Sequence, residues 1–267
     1  MIRQPAVAGQ FYSALPEVLR ADVARYSDSS ARPHPAIAMV SPHAGLMYSG
    51  HVAGAVYSRV SPPDIVILIG PNHTGLGPPV SVYPEGAWLI PGGQLAIDSA
   101  LAAELLRRYP QAEADTSAHR SEHCLEVQLP FLRQARADVR IVPIVLGTTR
   151  EEVCRDLGLC LAEIVQARSA RPLLIASTDM SHYEPDSVTR EKDRFALEAI
   201  QRLDPEGLQA TVRAHQISMC GLGPTVTVLH AVRALGATDS FLVRYATSGE
   251  ISGDFDRVVG YAGFVIT

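Results

Sequence analysis

Asp64-Ile65-Val66-Ile67-Leu68-Ile69-Gly70-Pro71-Asn72-His73 is the stretch on which the fold turns. Its aliphatic run is dominated by β-branched residues, which suit a pleated surface and lose rotamer freedom in a helix. The run shows no alternation of apolar and polar positions. It therefore reads as a strand covered on both faces, the usual state of a strand in a parallel sheet. The strand is read over Asp64–Ile69, and the chain then runs through Gly70 into Pro71, Asn72 and His73.

Working outward, similar runs predict strands at Ala36–Ser41, Arg140–Leu146, Leu173–Ser177, Phe241–Ala246 and Val258–Ile266, with a shorter one at Val80–Tyr83. Helical patterns lie between them, at Leu15–Tyr26, Ser49–Arg59, Ser99–Tyr109, Leu125–Arg136, Glu151–Arg168, Val188–Leu203, Pro205–His215 and Gly223–Leu235. Asp98 and Thr149 precede two of these as start signals, and Pro130 should kink its helix or delay its start. Strands alternating with helices predict an α/β fold: one domain over residues 1–267, a largely parallel central sheet, and helices on both faces. The Pro/Gly-rich stretch from Gly75 to Gly93 is expected to be a long surface excursion.

Bulk properties narrow the function. Hydrophobic residues make up 47% of the chain, ample for a core, and the net charge is −5 with no basic stripe. Nucleic acid and anionic membranes are thus not expected as partners. The four cysteines lack CxxC spacing, and no apolar run approaches the ~20 residues of a membrane helix. With no signal-peptide pattern at its start, the chain is expected to be cytoplasmic.

In open α/β sheets ligands bind beyond the carboxyl ends of the strands. Three such ends carry capable residues: AIAMVSP runs into His43, DIVILIGP into Asn72 and His73, and PLLIAST into Asp179 with His182 beyond. Cys220 precedes the apolar helix TVTVLHAVRAL, where the positive helix end is expected to favour its thiolate. Glu122, His123 and Glu126 sit together next to a helix start and are candidates to support the site or touch a substrate; Tyr48 could reach the same space. Cys154 and Cys160 read as packing residues, His34 and His215 as exposed, and His119 as part of a charged loop.

These motifs also resemble a known family. RQPAVAGQFY at Arg3–Tyr12, PHAG at Pro42–Gly45, GPNH at Gly70–His73, EHCLEVQLPFL at Glu122–Leu132, DMSH at Asp179–His182 and MCG at Met219–Gly221 are similar to those of the Memo-like family. Its bacterial and archaeal members carry the label AmmeMemoRadiSam system protein B. That family is similar in fold to class III extradiol dioxygenases, which hold non-haem Fe(II) with two histidines and a carboxylate. The resemblance implies that His43, His73 and Cys220 form a metal-binding set for Fe(II) or copper, with Zn(II) as a further option. It also implies that His182 is an acid/base histidine with Asp179 beside it. A functional association with radical-SAM and AMMECR-type proteins is implied as well.

Cys220 stands where the dioxygenases have glutamate, so the resemblance does not carry ring cleavage. Three readings follow. The first is a metal-dependent, redox-type protein with a dioxygenase-like pocket. The second is a module that binds a peptide or small molecule without turnover. The third is a Cys-His-Asp hydrolase built on Cys220, His182 and Asp179.

Overall fold

The computed structural model describes residues 1–267. Along the chain run β1 (Ile2–Arg3), α1 (Pro16–Tyr26), β2 (Ala38–Ser41), α2 (Leu46–Tyr57), β3 (Ile65–Pro71), β4 (Val80–Val82), β5 (Ala87–Ile90) and β6 (Gly93–Ile97). There follow α3 (Ser99–Arg108), β7 (Glu113–Ala114), a 3-10 turn (Glu126–Gln128), α4 (Leu129–Ala135), β8 (Arg140–Leu146) and α5 (Glu151–Gln166). The remainder holds β9 (Leu173–Ser177), β10 (His182–Glu184), α6 (Asp186–Gln201), α7 (Pro205–Ala214), α8 (Leu222–Ala234), β11 (Ser240–Thr247), α9 (Gly249–Ser252) and β12 (Val258–Ile266).

The main sheet path is β1-β5-β6-β8-β3-β9-β2-β12-β10, with β11 paired to β12 and β4 to β8. The inner strands β6, β8, β3, β9 and β2 are mutually parallel. Antiparallel β12 closes that block against β2 and carries β11. The expected α/β class with a mostly parallel sheet is what the chain adopts.

The unbroken apolar strands are explained by what they touch. Ile67, Ile69, Val142 and Ile144 pack with Leu101, Leu157 and Val228 of α3, α5 and α8. Their sequence neighbours Val66, Leu68, Ile141 and Val145 point the other way, onto Leu19, Val56 and Phe131 of α1, α2 and α4. Each residue alternates face, yet both faces are covered, so no polar position is left. Burying each such aliphatic side chain stabilises the fold by about 1.5–3 kcal/mol.

Several expectations need correction. The stretch from Gly75 to Gly93 is not a mere surface excursion: β4 pairs with β8, β5 pairs with β1 and β6, and Trp88 is fully buried. Its glycines and prolines mark turns between short strands, a pattern that composition alone does not separate from a loop. The helix expected from Ser49 starts at Leu46, directly after the loop of His43. The segment read as a helix over Leu125–Arg136 is a 3-10 turn followed by α4, the later start expected from Pro130, which sits in the first helical turn where its missing N–H is harmless. His119, expected in a charged loop, is fully buried.

Candidate metal centre

Strands β3, β9 and β2 are adjacent and parallel, so their carboxyl ends release the His73, Asp179 and His43 loops side by side. The loop of residues 119–126 crosses beside them. Gly70 makes this approach possible, since a Cβ there would lie 2.5 Å from Cys124 Sγ and 2.7 Å from Leu125 Cδ2.

Three imidazoles converge at this end of the sheet. Ring centroids are 5.3 Å apart for His43 and His73, 5.4 Å for His43 and His123, and 4.5 Å for the stacked pair His73 and His123. One nitrogen from each ring lies within 4.8 Å of the others. His43 is buried, His73 is one-third exposed at its side chain, and the cluster therefore opens to solvent on the His73 side.

The hydrogen bonds settle which nitrogens are free. Ser177 Oγ donates its only proton to the Cys124 carbonyl at 2.7 Å, and Gln128 Nε2 donates to that Oγ at 2.9 Å. The remaining contact, His43 Nδ1 at 2.9 Å, must then be an N–H donating to Ser177. That leaves the Nε2 lone pair of His43 unprotonated. Gln128 is itself held by Tyr57 Oη and the Pro42 carbonyl, each at 2.9 Å. His73 Nδ1 donates to Glu122 Oε1 at 2.8 Å, which again leaves Nε2 to face outward.

Charge follows the same pattern. Burial, followed by the neighbouring His73, pushes His43 well below the ordinary histidine range, and burial with His43 pushes His123 down to about 4. Glu122 is lowered to about 2: the His73 imidazole and the backbone N–H groups of His73 and Cys124 outweigh its burial. Neutral imidazole, the form favoured at His43 and His123, is the form that binds a metal.

Cys220 Sγ lies 3.3 Å from His43 Nε2 and accepts the Asp179 backbone N–H at 3.2 Å. It touches one ring of the trio without joining the group whose ligand atoms are mutually close. The expected thiolate is corrected: burial, followed by the charge of Asp179, raises the thiol well above its ordinary value. The helix end is present, but burial outweighs it. Asp179 Oδ1 accepts the His43 backbone N–H at 2.8 Å and so braces the loop of His43. His182 Nδ1 bonds the Ser218 carbonyl at 2.9 Å, which fixes its ring to the segment before Cys220.

A family model described as Memo-like protein matches residues 3–265. The chain belongs to this Memo-like family. A MEMO1 family protein of Methanopyrus kandleri is 39% identical over 279 residues, covering 99% of both chains. Another, from Aquifex aeolicus, is 42% identical over 267 residues, covering 99% of this chain and 98% of the relative. Among solved structures, an uncharacterized protein of Escherichia coli K12 aligns with a TM-score of 0.54 at 14% identity, covering 86% of this chain and 99% of that one. That likeness is one of fold alone.

Within this Memo-like chain the other expected residues have distinct places. Tyr48 is half-buried against Val52, Ala246 and Tyr261. Asn72 builds the turn after β3, with Oδ1 accepting from Thr74 and Gly75. Glu126 faces away from the rings and binds Arg3, Ala6, Val7 and Tyr12. Sequence reasoning missed Ser177 and Gln128; the available signal was a polar residue ending an apolar strand and another inside an apolar helical turn. No helix is long and apolar enough to cross a membrane.

Proposed function

We propose that this chain is a non-haem metal protein of redox type, in which His43 and His73 hold the ion with His123 and Cys220 beside them as further donors. The observation that carries the reading is the mutual approach of one nitrogen from each of His43, His73 and His123 to within 4.8 Å. The donor set fits the group: His43 Nδ1 is engaged by Ser177 and His73 Nδ1 by Glu122, an arrangement that orients metal-ligating imidazoles. Imidazole with a nearby sulfur suits Fe(II) or copper, and also Zn(II). A bound Fe(II) or copper ion would supply one-electron and Lewis-acid chemistry.

The chain's own residues would do the rest. His182, whose Nδ1 is held by the Ser218 carbonyl, keeps Nε2 free to take up or release a proton. Asp179 holds the loop of His43 in place through its backbone N–H. The exposed side of His73 gives a small molecule or peptide access.

The hydrolase reading is less well supported, because the imidazole against the Cys220 sulfur is His43, while His182 is tied to Ser218. The test is elemental analysis of anaerobically purified protein beside H43A and H73A. Wild type should carry an equivalent of iron or copper that both variants lose while staying folded. Variants that keep a full equivalent would sink the proposal, as would a wild type that takes up neither metal. Oxygen uptake that depends on an added substrate would separate a redox enzyme from a binding module.

A further inference from the structure

The N-terminal motif Arg3–Tyr12 has no part in the centre as proposed, yet it is tied to the segments that carry it. The Arg3 guanidinium is buried. Its Nε donates to the His119 carbonyl and its Nη2 to the Glu122 carbonyl, both at 2.6 Å. Nη1 donates to Glu126 Oε2, also at 2.6 Å, and the group lies 4.2 Å over the Trp88 ring. Three divergent acceptors on one planar fork define the path of residues 119–126 in a way a single cation on a flexible stem would not.

Further along, the segment reaches the rings themselves. Phe11 lies with its ring centroid 4.8 Å from that of His123, tilted by 54°. Its carbonyl accepts the Leu46 N–H at 2.7 Å, at the start of the helix that follows His43. Ala6 and Val7, between Arg3 and Phe11, and Tyr12 just beyond all donate to Glu126, which ties the segment along its length.

We infer that residues 3–12 brace the histidine cluster, with Arg3 and Phe11 as positioning residues: Arg3 sets the loop bearing Glu122 and His123, and Phe11 sets the His123 ring. The consequence for metal affinity rests on the metal reading above; the brace itself can be read in metal-free protein.

The test uses the full chain as wild type, R3M, F11L and F11Y. Zn(II) alone is titrated against a chromophoric chelator, and histidine ring resonances are recorded for the metal-free proteins by 15N-labelled NMR. R3M and F11L should remain folded yet bind Zn(II) roughly tenfold or more weakly, the range seen when a residue supporting a metal ligand is lost. F11Y, which keeps the ring, should recover most of that affinity. The His73 and His123 resonances should move in R3M and F11L and stay near wild type in F11Y. If R3M does not fold, F11L decides, since its half-buried side chain leaves no charge unpaired. Folded F11L with wild-type affinity and unmoved His123 resonances would overturn the inference. If wild type itself binds no Zn(II), the iron and copper analysis above decides the metal reading, and the ring resonances decide for or against the brace.

Discussion

The Glu122 carboxylate grips His73 twice: Oε1 takes the ring Nδ1–H at 2.8 Å and Oε2 takes the backbone N–H of the same residue at 2.6 Å. Oε1 also accepts the N–H groups of His123 and Cys124, at 2.9 and 3.0 Å. A carboxylate with acceptors only can satisfy all four donors, whereas an amide cannot. Glu122→Gln must turn an NH2 toward at least one N–H. It should lower metal affinity by roughly tenfold or more and also lower the melting temperature, checked by chelator competition and thermal unfolding.

Ser177 fixes the tautomer of His43 from the opposite side. Ser177→Ala removes the acceptor for His43 Nδ1–H and for Gln128 Nε2, both at 2.9 Å. The expected loss is about 1–3 kcal/mol of stability from buried groups left without partners. His43 should then populate both tautomers, visible as a shift of its ring nitrogen resonances toward each other in NMR spectra.

Gly70 is required by a close approach. A methyl group there would meet Cys124 Sγ at 2.5 Å and Leu125 Cδ2 at 2.7 Å. Gly70→Ala should destabilise the fold by about 1–3 kcal/mol through overpacking, measured as a lower urea midpoint with an unchanged slope. Because the clash pushes on the loop of Glu122 and His123, metal affinity should fall in the same variant.

His119 predicts a dependence on pH. It is buried among the rings of Tyr83 and Trp88, at 5.5 and 5.7 Å. Burial, followed by the Arg3 guanidinium, lowers it to about 3. The unfolded chain takes up this proton near the ordinary value of about 6.5, while the native state resists until far lower pH. The contribution is therefore complete above the unfolded value and is lost as pH falls from about 6.5 toward 3. His119→Phe, with no titrating ring, should lose on the order of 2 kcal/mol less than wild type between about pH 7.5 and about pH 4.5, read from denaturant midpoints. Equal losses in the two proteins would refute the assignment.

Much of this protein could be read from residue order. The runs at Ile65–Ile69 and Leu173–Ala176 announce buried parallel strands, because a strand interior covered on both faces favours apolar residues throughout. The loops after them could be named for the same reason: a parallel sheet gathers its carboxyl ends on one edge, so His43, His73 and Asp179 had to be neighbours.

What order along the chain could not convey is which atoms meet once those loops are packed. That His123 stacks on His73, that Ser177 and Gln128 set the tautomer of His43, and that Arg3 reaches the loop of Glu122 from over a hundred residues away depend on burial and direction. The Cys220 thiol makes the same point. Its place before a helix argued for a thiolate, but the tertiary fold half-buries it beside Asp179, and there desolvation outweighs a helix end. Local pattern specified the elements and the edge where chemistry gathers; side-chain geometry and solvent exclusion, which arise only on folding, decided what that chemistry can be.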